Sequence, residues 1–276
     1  MDVTVALMQP LTTTKMNNAC FKCTSTILLG LALGLTWGSC SQAQAQYRGY
    51  RMGMSIDPNV SWMVSRDLEH VTDGARAHFG WQFMADILFT ETYAIGTGIH
   101  VFRTGSAVQY WEATSDSTIS RVSRNFNNQY VELPLTFKLR TKEIGYTTYY
   151  GKFGGGLGLN IRREAEEDRY LAYEKLGEEW VELDRPAPDP ELISGEFASL
   201  FRASLIVGMG FERKIAGNTA IMVGLTYNSS LFSTHQGQEL VQADQNGQPR
   251  LEGEAPATTN MLGHDSFVSL TLGVVF

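Results

Sequence analysis

Chemistry by nucleophile and base would need a serine or threonine beside a histidine. The sequence offers two such neighbourhoods, Ser233 with His235 and His264 with Ser266. Neither falls in a motif that supplies a third, orienting group, and proximity in sequence alone does not build a proton relay. The other histidines, His70, His78 and His100, have no such neighbour pattern. All 3 cysteines, Cys20, Cys23 and Cys40, lie ahead of the segments that look folded, and the Cys20–Cys23 pair lacks the second half of a zinc site. The run Gly154-Gly155-Gly156-Leu157-Gly158 is not followed by a helical pattern, so it does not read as a phosphate cradle. Carboxylates cluster between Arg163 and Ser199 without the spaced ligands of a dedicated calcium loop. The reading is a chain with no catalytic residue, no metal site and no cofactor. A net charge of −7, with no basic cluster, argues against nucleic acid as a partner.

A different set of charged residues stands out by its surroundings. Asp86, Glu132, Lys138, Arg140, Lys152, Arg162, Arg202, Glu212 and Lys214 occur singly, among glycines and small polar residues. Each falls on the polar side of a segment whose other side is large and apolar. Charges so spaced suit a confined interior in which they pair across a lumen. The alternative is a narrow conductive path lined by the same groups.

The segments that carry them alternate with period two, as strands with two unlike faces do. In Tyr130 to Arg140, Val131, Leu133, Leu135, Phe137 and Leu139 oppose Glu132, Thr136, Lys138 and Arg140. In Ser266 to Phe276, Val268, Leu270, Leu272, Val274 and Phe276 oppose Ser269, Thr271 and Gly273. Similar segments run over 79–89, 93–101, 149–162, 201–214 and 221–228, and a less regular one over 50–63, where Pro58 ends the strand or marks a bulge. A soluble sandwich or lipocalin-like barrel would carry dense polar residues on its outer face, and the glycine-rich face here does not. With the apolar face turned to hydrocarbon, every backbone polar group must pair, so the strands must close into a ring. The links alternate between short (90–92, 141–146, 216–218) and long (59–76, 104–128, 163–199, 233–264). The pattern predicts an all-β fold, a closed antiparallel transmembrane β-barrel of eight strands, with short periplasmic turns and long extracellular loops. Phe89, Tyr93, Tyr146, Tyr149, Phe211 and Phe276 are expected at the periplasmic rim, and Tyr130, Tyr227 and Phe232 at the outer one.

Lys22, the apolar stretch Ile27 to Trp37 and the small-x-small exit Ala43-Gln44-Ala45 read as a secretory signal over residues 1–45, with Met16 as an alternative start. Residues 46–276 then form the barrel domain. A lipid anchor at Cys40 is a second reading of the same leader.

The stretch from Tyr130 to Ile161 resembles the central hairpin of the PorT-like family of bacterial outer-membrane barrels, through Tyr130, Glu132, Pro134, Lys138 and Gly154 to Gly158. Phe276, closing an alternating strand, resembles the carboxy-terminal signal read by the barrel-assembly machinery. The resemblance implies residence in the cell outer membrane, contact with its lipid, and passage through that machinery. One founding member is tied to protein secretion across the outer membrane. The leading functional expectation is a structural or partner-binding barrel with no chemistry of its own, a protein partner meeting the loop over 163–199. A secretion component and a lipid-modifying enzyme are the alternatives.

Overall fold

The computed structural model describes residues 49–276 except 67–69, 116, 184–190, 195–197 and 242–256. The leader read over 1–45 lies outside the described residues.

Eight long strands form the wall: β1 (Tyr50–Ser65), β2 (Val71–Leu88), β3 (Tyr93–Ser115), β4 (Thr118–Arg140), β5 (Thr147–Leu176), β8 (Phe201–Ala216), β9 (Thr219–Ser230) and β11 (Ala257–Val275). Three short strands, β6 (Glu179–Glu182), β7 (Glu191–Ser194) and β10 (His235–Val241), pair onto the upper parts of β5 and β11. Each long strand pairs antiparallel with the next, and β1 pairs with β11 to close the ring, from Gly53 opposite Val275 to Ser65 opposite Gly263. The last rung is made by the terminal residue: Phe276 N–H donates to Met52 O at 2.8 Å and Met52 N–H to Phe276 O at 3.0 Å. Pro58 neither ends β1 nor bulges it. It sits opposite Phe79, and the β1–β11 register is the same on either side, Ile56 opposite Leu272 and Asn59 opposite Ser269.

The two faces are inverted relative to a soluble domain. Met54, Ile56, Phe79, Trp81, Leu133, Leu135, Phe153, Leu157, Leu205, Val207, Met209 and Leu225 point outward and are exposed. Ser55, Asp57, Asn59, Asp86, Glu132, Lys138, Arg202 and Glu212 point inward and are buried. A continuous exposed apolar band of this kind demands a hydrocarbon surround. Glycines admit large inner side chains. A Cβ on Gly156 would lie 2.5 Å from the Glu132 carboxyl carbon, and one on Gly210 2.7 Å from the Tyr150 hydroxyl, which also overlies the paired Gly224.

The short turns match their sequence signals. Thr90 Oγ1 accepts from the Tyr93 N–H at 3.0 Å, and Gly217 takes φ of 54° in the two-residue link between β8 and β9. The opposite side departs from expectation. About 9–11 residues of tilted strand cross a bilayer, yet β3 and β4 have 23 residues each and β5 has 30. Much of what reads as long loop in the sequence is strand that rises beyond the apolar band. Only residues 66–70 separate β1 from β2, and 116–117 separate β3 from β4.

In this extension the faces exchange character. Its inner surface is a hydrophobic core of Met63, Val108, Tyr110, Val122, Phe126, Ala165 and Met261, with Trp111 packed against it. Its outer surface carries Arg121, Arg162 and Glu166, all exposed. The chain thus obeys hydrocarbon rules in its lower half and aqueous rules in its upper half.

Candidate functional site: the filled lumen and its outer cap

The inward charges occupy successive layers. At the periplasmic end the Glu212 carboxylate accepts from Arg51 at 2.6 Å, Lys138 at 2.7 Å and Arg140 at 2.8 Å. Lys138 also donates to Asp86 at 2.7 Å and lies 4.4 Å from the centre of the Tyr150 ring. Ions so deeply withdrawn from water are tolerable only when their remaining donors and acceptors are met, and here one ammonium bridges two carboxylates. Beneath this layer a vestibule of about 360 Å³ opens to the periplasm, between Arg51, Arg140, Glu143 and Lys214. Lys214 is therefore at the mouth, not in the lumen, with Glu143 at 3.9 Å.

Above Lys138 lies a cavity of about 40 Å³, bordered by Asp57, His100 and Lys152 among others. Ser55 donates to Asp57 at 3.0 Å, and the His100 ring is 3.7 Å from the same carboxylate. Lys152 faces this cavity and makes no direct ion pair among the described residues. The space and its polar lining suit ordered water.

The next layer is the most enclosed. Arg202 donates to Glu132 at 2.7 Å and to the Asn228 side-chain oxygen at 2.7 Å. Asn228 and Ser204 complete the carboxylate's bonding, donating at 2.9 and 2.8 Å. Both ionic side chains are fully shielded, and the guanidinium sits 5.4, 5.5 and 5.7 Å from the ring centres of Phe102, Tyr130 and Phe267. The two terminal nitrogens of the guanidinium are thus fixed by two different acceptors while aromatic rings surround its plane. Tyr130 belongs to this cage and is buried. It is not at the outer rim where the sequence placed it, since it shares the inward parity of Glu132. The outer rim is marked instead by Trp62 stacked on Tyr227, ring centres 6.4 Å apart.

Higher still, Asp265 accepts from Thr104 at 3.1 Å and from Tyr130 at 3.3 Å, and stands 3.3 Å from His235 Nδ1. The other ring nitrogen of His235 meets the Asn128 side-chain amide at 3.1 Å, and Phe126 packs on the ring at 4.4 Å. His235 belongs to β10, outside the membrane-crossing strands, where burial pushes its imidazole below the ordinary value while Asp265 pulls the other way. The apolar cap then closes the lumen, with Arg124 inside it held by Glu167 at 2.9 Å and by the Tyr110 hydroxyl at 2.7 Å.

Of the residues singled out in the sequence, Asp86, Glu132, Lys138, Arg140, Arg202 and Glu212 are brought into ionic layers and Lys152 lines the cavity. Arg162 is not in the lumen. Gln129 pairs with Arg162 but the next residue, Tyr130, pairs with Asn160, so one extra residue in β5 reverses the phase of the strand. Arg162 therefore points outward and pairs with Glu164 at 2.7 Å. Phe276 is exposed at the closing rung. The inward Asp57 and Asp265 have no clear signal in the sequence, since Pro58 disguises the first strand and the last reads as a strand only from Ser266 onward; His235 falls in what reads as a long link, while His100 is inward as the alternation over 93–101 places it.

Among the described residues no cluster of three metal-ligating side chains occurs. Ser266 does not serve His264 or His235; its hydroxyl pairs with that of Ser229 at 2.9 Å.

No curated protein matches the sequence. Among solved structures the chain is similar to Neisserial surface protein A, at 11% identity and a TM-score of 0.36, covering 82% of this chain and 95% of that one. It is similar to Ail, the attachment invasion locus protein of Yersinia pestis, at 14% identity and a TM-score of 0.35, covering 82% and 99%. The outer membrane protease OmpT from Escherichia coli is a neighbour at 7% identity and a TM-score of 0.29, covering 82% and 96%. The family model described as outer membrane protein beta-barrel domain matches residues 24–236. With a closed ring of eight strands, an apolar outer band and a polar interior already in view, the chain belongs to the outer membrane protein beta-barrel domain family, and its place is the outer membrane of the cell.

Proposed function

We propose that this barrel is a non-conducting, non-enzymatic anchor that presents a rigid β-structured platform outside the cell to a protein partner. The carrying observation is the filling of the lumen above its periplasmic vestibule. Among the described residues, ionic layers, an aromatic cage and an apolar cap fill the interior around a cavity of about 40 Å³, so the surface offered to partners is the extension. The described part of the extension has its own apolar core, and a surface built on such a core lowers the entropic cost of docking. The acidic described part of 163–199 fits a basic partner surface, although Glu167 is engaged by Arg124 and Arg169, and Glu164 by Arg162, so that neither belongs to the free charge.

The His235–Asp265 pair supports a structural role. The nitrogen that would take a proton from a nucleophile is occupied by the Asn128 amide. Photo-crosslinkers at Glu166, Asp168 and Tyr170 in intact cells are expected to capture a discrete protein. Absence of any adduct, together with large steady currents in planar bilayers, would overturn the proposal.

The finer assignment to the PorT-like branch is supported by where its motif falls. Glu132 anchors the Arg202 layer, and Pro134 faces Gly156 on the neighbouring strand. A secretion role draws support from the charged periplasmic vestibule, which could receive a periplasmic component. Normal secretion in a deletion strain would remove that reading.

A further inference from the structure

The pairing of β2 with β3 is interrupted near the outer end of the membrane-facing wall. β2 and β3 pair at Ala75 opposite Ser106 and again at Trp81 opposite Val101, with no partner pair between and one more residue on β2 than on β3. The seam opens outward as a groove of about 580 Å³. Its lower half is apolar, formed by Phe79, Trp81 and Val101, the first two exposed at the level of the hydrocarbon band. Its upper half carries His78, Arg103 and Gln129. Arg76 lies just above, reaching across β3 to the Asn125 side-chain oxygen at 2.5 Å. Arg103 is exposed, and among the described residues no carboxylate pairs with it or with Arg76. The Nε2 of His78 is buried and lacks a hydrogen-bond partner.

Apolar floor, cationic roof and an unmatched polar nitrogen coincide where the outer surface changes from apolar to polar. That arrangement matches an amphiphile with an anionic head. We propose that this groove holds one phosphate-bearing lipid of the outer leaflet, its phosphate on Arg76, Arg103 and His78 and an acyl chain along Phe79 and Trp81. Phosphate gives each guanidinium a charge-assisted, forked acceptor, and the seam gives the chain a slot that a regular wall would not offer. The inference is independent of the protein-partner reading, since it concerns the wall and not the acidic face of the extension.

The test uses the folded full-length mature barrel in phosphatidylcholine nanodiscs doped with bisphosphorylated lipid A, read by native mass spectrometry. One lipid A per barrel is expected to resist exchange. The double variant R76Q/R103Q should weaken its retention about tenfold, and removal of both phosphates from the lipid should do the same. Arg213→Gln, on the outer face near the periplasmic side, should leave retention unchanged. Inorganic phosphate at millimolar concentration should fail to compete, because it lacks the chain. Heat-shift electrophoresis reports folding of each variant. If the double variant does not fold, R103Q alone is scored and should weaken retention about threefold. Equal retention by wild type and the scored variant, equal retention of dephosphorylated lipid, an equal loss in R213Q, or displacement by free phosphate would each overturn the proposal.

Discussion

The buried pair Arg202–Glu132 sets the stability of the lumen, and its two halves are unequal to their sum. Glu132→Ala would leave a guanidinium without its counter-charge, inside three aromatic faces, and is expected to cost about 3–5 kcal/mol. Replacing both by apolar residues of like volume, as in R202M/E132L, should cost less than the single change. Urea titrations of the refolded barrel in lipid vesicles separate the two outcomes. Size matters as much as charge. Gly224→Ala would drive a methyl into the Tyr150 hydroxyl, and we expect a loss of about 1–3 kcal/mol that Tyr150→Phe partly restores. His235 ties stability to pH. Its imidazole is held below the ordinary value near 6.5, so the native form resists a proton that the opened form accepts. That contribution is complete above about pH 6.5 and is lost as pH falls from there toward the native value. Protease cleavage of the extension should therefore rise between about pH 7.5 and pH 5, and His235→Gln should flatten the dependence.

The long strands β3, β4 and β5 are each composed as two pieces joined end to end. In β4, Leu133, Leu135 and Leu139 meet lipid, while Val122 and Phe126 are buried in a core. Leu135→Arg should destabilise the membrane part by about 2–4 kcal/mol, visible as loss of heat-modifiable migration. Phe126→Ala should loosen the cap by about 3–5 kcal/mol, exposing it to protease while that migration persists. Alternation made the membrane pieces legible in the sequence: Leu133 to Leu139 and Val268 to Val274 announce their faces residue by residue. The upper pieces look like loops in the sequence because their inner apolar pairs, Val108 with Tyr110 and Val122 with Phe126, stand apart across a largely polar stretch that looks solvated. Arg162 was misplaced for a different reason. One extra residue near Ile161 inverts the faces of β5 until a second register shift between Leu171 and Tyr173, and nothing in the composition marks a bulge. Pairing partners across the lumen, such as Asp265 with Tyr130, depend on barrel closure and have no local signature.

At the scale of the whole molecule, a wall of eight strands is plugged by its own side chains and prolonged outward as a second, water-adapted layer. Bilayer recordings should find no steady conductance, consistent with an interior of this strand number that side chains can fill. The seam at Phe276 and Met52 has a kinetic consequence. The two strands that complete the ring come from opposite ends of the folded chain, so their contact has the longest loop to close. Until it forms, β1 and whichever strand is newest each present a bare row of amides and carbonyls, which hydrocarbon cannot solvate. Insertion must therefore proceed either in one concerted step or under temporary cover for two raw edges, and a chain halted short of its final rung would be a target for edge-to-edge aggregation.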